Sequence, residues 1–138
     1  MKAIRVSGQA IELCDVPEPK GEGVLVNVEA VGICGSDLHL IDSNMMDVIP
    51  GHEISGVTSS GQSVAVEPML SCGVCKYCDE GSQPYCDSAL PNTMGIGIDG
   101  GMAEKILVPE RFLTLLPNAV NVQDAFLIEP LAVAVRCL

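Results

Sequence analysis

The chain of 138 residues has no tryptophan, and its only aromatics are two tyrosines and two phenylalanines. Its core must therefore come from Val, Ile, Leu, Ala and Met, without the large ring surfaces that fill many interiors. Positive charge is equally scarce: seven Lys and Arg stand against 18 Asp and Glu, a formal net charge of −11. Such a surface has few cations to pair with phosphate backbones or anionic headgroups, which excludes nucleic acid and acidic membranes as partners. Long apolar runs are missing too. The longest apolar segment, Ala125–Val135, is interrupted by Glu129 and Pro130 and is too short to cross a bilayer. Met1–Pro19 alternates polar and apolar residues without an export signal, so a soluble cytoplasmic protein is expected. Aliphatic residues are plentiful. With 48% hydrophobic and 18% charged residues, one packed domain over residues 1–138 is expected rather than disorder.

Seven cysteines in such a chain read better as metal ligands than as disulfides. Four of them, Cys72, Cys75, Cys78 and Cys86, follow one another with two, two and seven residues between. Two-residue spacers turn successive thiolates back toward one centre, and the longer spacer returns the fourth to close a tetrahedron. Four sulfurs with no open corner describe a structural zinc, which contributes folding energy rather than chemistry. An iron–sulfur cluster shares the first spacings, but its run continues with three residues and Cys-Pro, whereas here Asp87 follows Cys86. Cys14 and Cys137 match no ligand position and are read as ordinary apolar residues.

Most of the remaining chain reads as β. Lys2–Val6 and Ala10–Asp15 are strand candidates around the Ser7-Gly8 turn pair. Val24–Ala30 alternates with Val24, Val26, Val28 and Ala30 on one face. Ser36–Ile41 reads as a helical turn with Ser36 as its cap. His52–Thr58, Ser63–Val66, Met102–Val108 and Phe112–Leu115 are further strands, and residues 70–92 form a loop that metal must organise. Residues 122–138 read as a helix in two pieces, with Pro130 in the first turn of the second. The predicted fold is mainly β, a distorted barrel with short helices and a cysteine lobe.

A second constellation is made of Gly32-Ile33-Cys34-Gly35-Ser36-Asp37-Leu38-His39, Gly51-His52-Glu53 and Glu129-Pro130. Taken singly, each piece has a bland reading. A lone Cys is usually a small core residue, a lone His a satisfied core group, and Glu before Pro a helix start. A catalytic zinc would need a thiolate, an imidazole and a carboxylate converging with a fourth corner open. Spacing alone does not establish that convergence.

The order of Cys34-Gly35-Ser36-Asp37, Gly51-His52-Glu53, the four-cysteine lobe, Gly100-Gly101-Met102-Ala103-Glu104 and Glu129-Pro130-Leu131 resembles the zinc-dependent medium-chain alcohol and polyol dehydrogenases. The resemblance covers nearly the whole chain and implies a GroES-like catalytic domain with two zinc ions. Cys34 and His52 would be catalytic zinc ligands, completed directly or through water by Glu53 or Glu129. Glu at position 129 is similar to the polyol branch, where other branches carry Cys. The implied activity is oxidation of a secondary alcohol or polyol, with zinc lowering the alcohol's pKa and a hydride passing to NAD(P). Ser36 and His39 resemble the proton relay, and Asp37 the carboxylate that holds the far nitrogen of His52. Without the resemblance, Ser36 is a helix cap and His39 a surface imidazole.

Departures from the pattern are equally specific. The family continues past the Leu138 position into a Rossmann domain with a glycine-rich dinucleotide fingerprint. Gly95-Ile96-Gly97-Ile98-Asp99-Gly100 offers glycines but no strand–turn–helix unit, so it is not expected to cradle a cofactor. Gly61-Gln62-Ser63 stands where Gly-Asp-Arg is common, and the loops before Gly51 and Val64 look trimmed. The expectation is a catalytic zinc domain over residues 1–138 whose nucleotide-binding domain lies elsewhere. It would be monomeric and inactive by itself, with NAD(P) bound only in the complete enzyme. A stand-alone zinc-binding interaction module is the alternative.

Overall fold

Val24–Gly32 (β3) is the longest strand of the main sheet in a computed structural model that describes residues 1–8 and 10–137. Its neighbours are Glu53–Thr58 (β4) on one side and Lys105–Val108 (β6) on the other, both antiparallel. Ser63–Val66 (β5) and Leu113–Leu115 (β7) extend the sheet beyond β4, giving the order β6-β3-β4-β5-β7. Lys2–Ser7 (β1) and Ala10–Asp15 (β2) form a separate hairpin. The hairpin joins the rest through an isolated bridge between Ala3 and Ala103. The architecture is mainly β with short helices, as the sequence led us to expect. Among the described residues, hydrogen bonding does not close the strands into a complete ring.

The alternation in β3 works as predicted up to Val28, with Val26 fully buried and Asn27 exposed. There a bulge intervenes, which the even pattern concealed. Val28 pairs with Gly56 but Ala30 with Ser55, so Glu29 is the extra residue. A bulge re-aims the side chains beyond it along the strand. Without the extra residue, antiparallel pairing would set Gly32 opposite His52; with it, Gly32 faces Glu53.

The core joins Val26, Ile54, Val64, Val66, Met94, Ile106, Val108 and Phe112. Phe112 is its one aromatic member, in keeping with a composition short of rings. Burying an aliphatic side chain such as Ile54 stabilises by about 1.5–3 kcal/mol. Ser55 is also fully buried, and its hydroxyl donates to the Val122 carbonyl at 2.6 Å. That bond ties β4 to the segment leading into the last helix.

Several boundaries differ from the sequence reading. The helix expected over Ser36–Ile41 spans Gly35–Asp42 (α1), and its cap is Cys34 rather than Ser36. Cys34 has extended backbone angles, and its N–H donates to the Asp37 carboxylate at 3.0 Å. An aspartate in the first turn thus does the work assigned to the serine. β6 starts at Lys105 instead of Met102, because Gly100, Gly101 and Met102 donate backbone N–H bonds to Ile49, Gly51 and Pro50. Phe112 lies in a 3-10 turn ahead of β7. The loop over residues 70–92 contains a short helix, Lys76–Asp79 (α2), and two 3-10 turns. At the far end a 3-10 turn, Ala125–Leu127, precedes Ile128–Arg136 (α3), the two pieces expected; Leu138 lies outside the described residues. No described helix is long and apolar enough to cross a membrane.

Candidate metal centres

Two groups of donor side chains come together, and both contain residues singled out from the sequence. In the first, one sulfur from each of Cys72, Cys75, Cys78 and Cys86 lies within 4.8 Å of the others. Cys72 and Cys78 sulfurs are 4.0 Å apart, and Cys75 and Cys78 sulfurs 3.6 Å. Two sulfurs on one tetrahedral zinc, with bonds of about 2.3 Å, sit roughly 3.8 Å apart. A disulfide needs about 2.05 Å. The spacing fits a shared ion and not a disulfide.

The backbone around this lobe favours thiolates. Cys72 N–H donates to the Cys86 sulfur at 3.4 Å, and Gly73 N–H donates to the Cys78 sulfur at 3.3 Å. The Cys72 amide is the main cause that lowers the Cys86 thiol to about 6. At Cys78 burial pulls upward, but the Gly73 amide with the Cys75 and Ser71 side chains together outweighs it, and the thiol stays below its ordinary value. Arg111 reaches in from the 3-10 turn before β7 and donates to the Ser71 carbonyl at 2.7 Å, fastening the lobe to the sheet.

The second group is Cys34, His52 and Glu53, whose donor atoms also lie within 4.8 Å of one another. Cys34 sits two residues past the end of β3, Glu53 opens β4, and His52 immediately precedes it. Antiparallel pairing is what joins positions so far apart in sequence. Gly51, at φ +94°, makes the turn into His52. Gly95 and Gly100 pack so closely on Gly51 that a Cβ at either would overlap its backbone. The glycines that offered a superficial cofactor loop thus hold the His52 approach in place.

His52 and Asp37 are both buried. His52 Nδ1 faces Asp37 Oδ1 at 3.5 Å, and neither atom has a tighter partner among the described residues. Asp37 beside it raises the imidazole to about 9, against the burial that lowers it. On the Asp37 side burial acts upward, but the imidazole and the Cys34 amide together hold the carboxyl below its ordinary value. Nδ1 is committed to Asp37, which leaves Nε2 for a ligand; the Ser36 hydroxyl lies 3.4 Å from it. The Ser36 hydroxyl and amide are also the largest causes that lower the Cys34 thiol. A thiolate, an imidazole and a carboxylate around one point suit a zinc that keeps an open corner.

Glu129 and His39, the other predicted residues, do not join this triad. Glu129, in the first turn of α3, is half-buried. Burial raises its carboxyl, the imidazole of His52 opposes the rise and the charge of Glu53 adds to it. His39 is exposed on α1, one turn beyond Ser36. Two residues missed in the sequence also border the site. A Cβ at Gly32 would meet both the Glu53 carboxylate and the Phe126 ring; Gly32 stood out only as part of a motif, and nothing in the sequence marks out Phe126.

Asp37→Asn is expected to weaken metal binding at this triad about 10- to 100-fold. It should also change the pH dependence. In the native chain the imidazole must lose its proton before it can bind metal, so affinity climbs with pH until about 9. Without the carboxylate the imidazole gives up its proton more readily, so the rise in affinity should set in at lower pH. Competition titrations at several pH values check this, and parallel curves for the two proteins would contradict it.

The family model of the alcohol dehydrogenase GroES-like domain matches residues 20–118. The sorbitol dehydrogenase of Bacillus subtilis strain 168 is 35% identical over 146 aligned positions, covering 91% of this chain and 40% of that protein. An NAD-dependent alcohol dehydrogenase of Sulfurisphaera tokodaii is 36% identical, covering 91% of this chain and 43% of its own length. Among solved structures, galactitol-1-phosphate dehydrogenase from Escherichia coli superposes with a TM-score of 0.90 at 28% identity, covering 98% of this chain and 43% of that one. The chain thus spans about 40% of the length of these curated relatives.

Proposed function

Since the chain belongs to the alcohol dehydrogenase GroES-like domain family, we propose that it is the catalytic zinc domain of a polyol or secondary-alcohol dehydrogenase. The observation that carries this reading is the meeting of Cys34, His52 and Glu53 within 4.8 Å. Relatives named as sorbitol dehydrogenase and D-xylulose reductase support a polyol as the substrate class. Cys34, His52 and Glu53 would hold the catalytic zinc, with Glu129 in reserve through water. The four lobe cysteines would hold the structural zinc. A zinc held there would supply Lewis acidity to lower the pKa of an alcohol hydroxyl, and NAD(P) in the complete enzyme would take the hydride.

What the chain's own residues handle is the proton and the geometry. Alcohol oxidation releases one hydride and one proton. In this reading Ser36 Oγ takes that proton, and His39, three residues on along α1, passes it to solvent. Asp37 orients His52 and fixes its proton on Nδ1.

Residues 1–138 form the zinc half in this reading, and a nucleotide-binding half packs beyond α3. The exposed Leu131, Val133 and Val135 on that helix support such a neighbour. The described cysteines are free, which suits a reducing, cytoplasmic setting. The chain alone is a monomer without turnover.

The test joins the chain to the nucleotide-binding half of a sorbitol dehydrogenase and follows NADH absorbance with polyols and secondary alcohols. Polyol-dependent NADH is expected, reduced about 100-fold or more by Ser36→Ala. No NADH from a folded fusion with both metals bound would overturn the proposal in favour of an interaction module.

A further inference from the structure

A triad of ligands needs room for its bulkiest member. The Glu53 carboxylate is buried at the start of β4, directly across the strand pair from Gly32. Gly32 is itself buried and does not adopt a left-handed backbone, so chain conformation does not demand a glycine there. Sterics do. A Cβ at position 32 would overlap Glu53 Oε2 and come within 2.9 Å of both Glu53 Cδ and Phe126 Cδ2. The carboxylate therefore occupies the space that any other residue's Cβ would fill, with the Phe126 ring beside the same space.

Three features of the fold converge on this seat. The bulge at Glu29 brings Gly32 opposite Glu53 rather than His52. The Ser55–Val122 bond draws the segment carrying Phe126 against β4. The 3-10 turn Ala125–Leu127, anchored by buried Ala125, then presents the ring.

We infer that Gly32, with Phe126 beside it, is a positioning residue that seats the Glu53 carboxylate against Cys34 and His52. It acts through Glu53 and touches neither metal nor substrate. The inference rests on reading Cys34, His52 and Glu53 as one metal site. An alanine at position 32 leaves the cysteine lobe intact but pushes the carboxylate out of reach of the shared centre.

The experiment measures cobalt(II) binding at the triad by competition titration and visible absorption, in chains whose lobe is already filled with zinc. Wild type, Gly32→Ala, Glu53→Ala and the double variant are compared. Gly32→Ala is expected to weaken cobalt about tenfold or more, of the order seen when a ligand's orienting partner is lost. It should also shift the cobalt absorption toward that of Glu53→Ala. Once Glu53 is absent the alanine has no carboxylate to displace, so the double variant should bind like Glu53→Ala alone. If Gly32→Ala does not fold, the double variant should, because the overlap has been removed.

The inference is overturned if Gly32→Ala binds cobalt like wild type, if its effect adds fully to that of Glu53→Ala, or if neither glycine variant folds. Should Glu53→Ala leave cobalt binding unchanged while Gly32→Ala weakens it, both the inference and Glu53 as a ligand fail. If Glu53→Ala weakens binding and Gly32→Ala does not, only the role of Gly32 fails.

Discussion

Cys86→Ser is expected to empty the cysteine lobe and lower the melting temperature by roughly 10 °C. The buried Cys86 sulfur accepts the Cys72 amide, and its thiol is held at about 6, so near neutral pH it is already a thiolate. Serine matches it in size, but its hydroxyl stays protonated and makes a poor zinc ligand. Zinc in isolated fingers supplies about 10–16 kcal/mol of folding free energy. Forfeiting a quarter of that, about 2.5–4 kcal/mol, weakens binding about 60- to 700-fold. Beside the Arg111 bond to Ser71 and the buried Ala89, little else holds residues 70–92 together. The lobe has one four-residue helix and two 3-10 turns, and Val74, Tyr77, Tyr85 and Leu90 are exposed. Calorimetry with a metal count checks the expectation; a melting temperature equal to that of wild type would refute the structural role.

Cys34→Ser is expected to do the opposite, removing the triad's metal while leaving the fold intact. Position 34 is the N-cap of α1, and serine is a better cap than cysteine. The helix start should therefore be retained or slightly strengthened. What disappears is the thiolate that the Ser36 hydroxyl and amide stabilise. The metal count should fall by one ion per chain, and the melting temperature of the metal-free protein should move by no more than about 2 °C. An unchanged metal count would show that Cys34 is not a ligand.

These two variants also mark how much could be read from the sequence. The lobe was legible because its four ligands lie within one loop, where spacing in sequence translates directly into spacing in space. The triad was legible only as a set of residue types. Its convergence depends on the pairing of β3 with β4 and on a bulge at Glu29 that an even alternation of apolar residues hides. Gly32 belongs to a recognisable motif, but its steric duty was invisible, because the partner it accommodates comes from another strand. Ser36 was read as a cap by propensity, while the structure caps α1 at Cys34 through the Asp37 carboxylate, which also faces His52. The β6 boundary failed for a similar reason: Gly100, Gly101 and Met102 spend their amides on Ile49, Gly51 and Pro50 rather than on a neighbouring strand. Contacts between distant segments decided each of these points except the cap of α1, which a bond three residues along the chain decided.

Zinc-edge X-ray absorption together with a metal count on the wild-type chain tests the reading at its centre. Two zinc ions per chain are expected, one among four sulfurs and one with a single sulfur, nitrogen and oxygen. A single ion with sulfur ligands only would contradict a second site at Cys34, His52 and Glu53, and the dehydrogenase chemistry assigned to it would go with it.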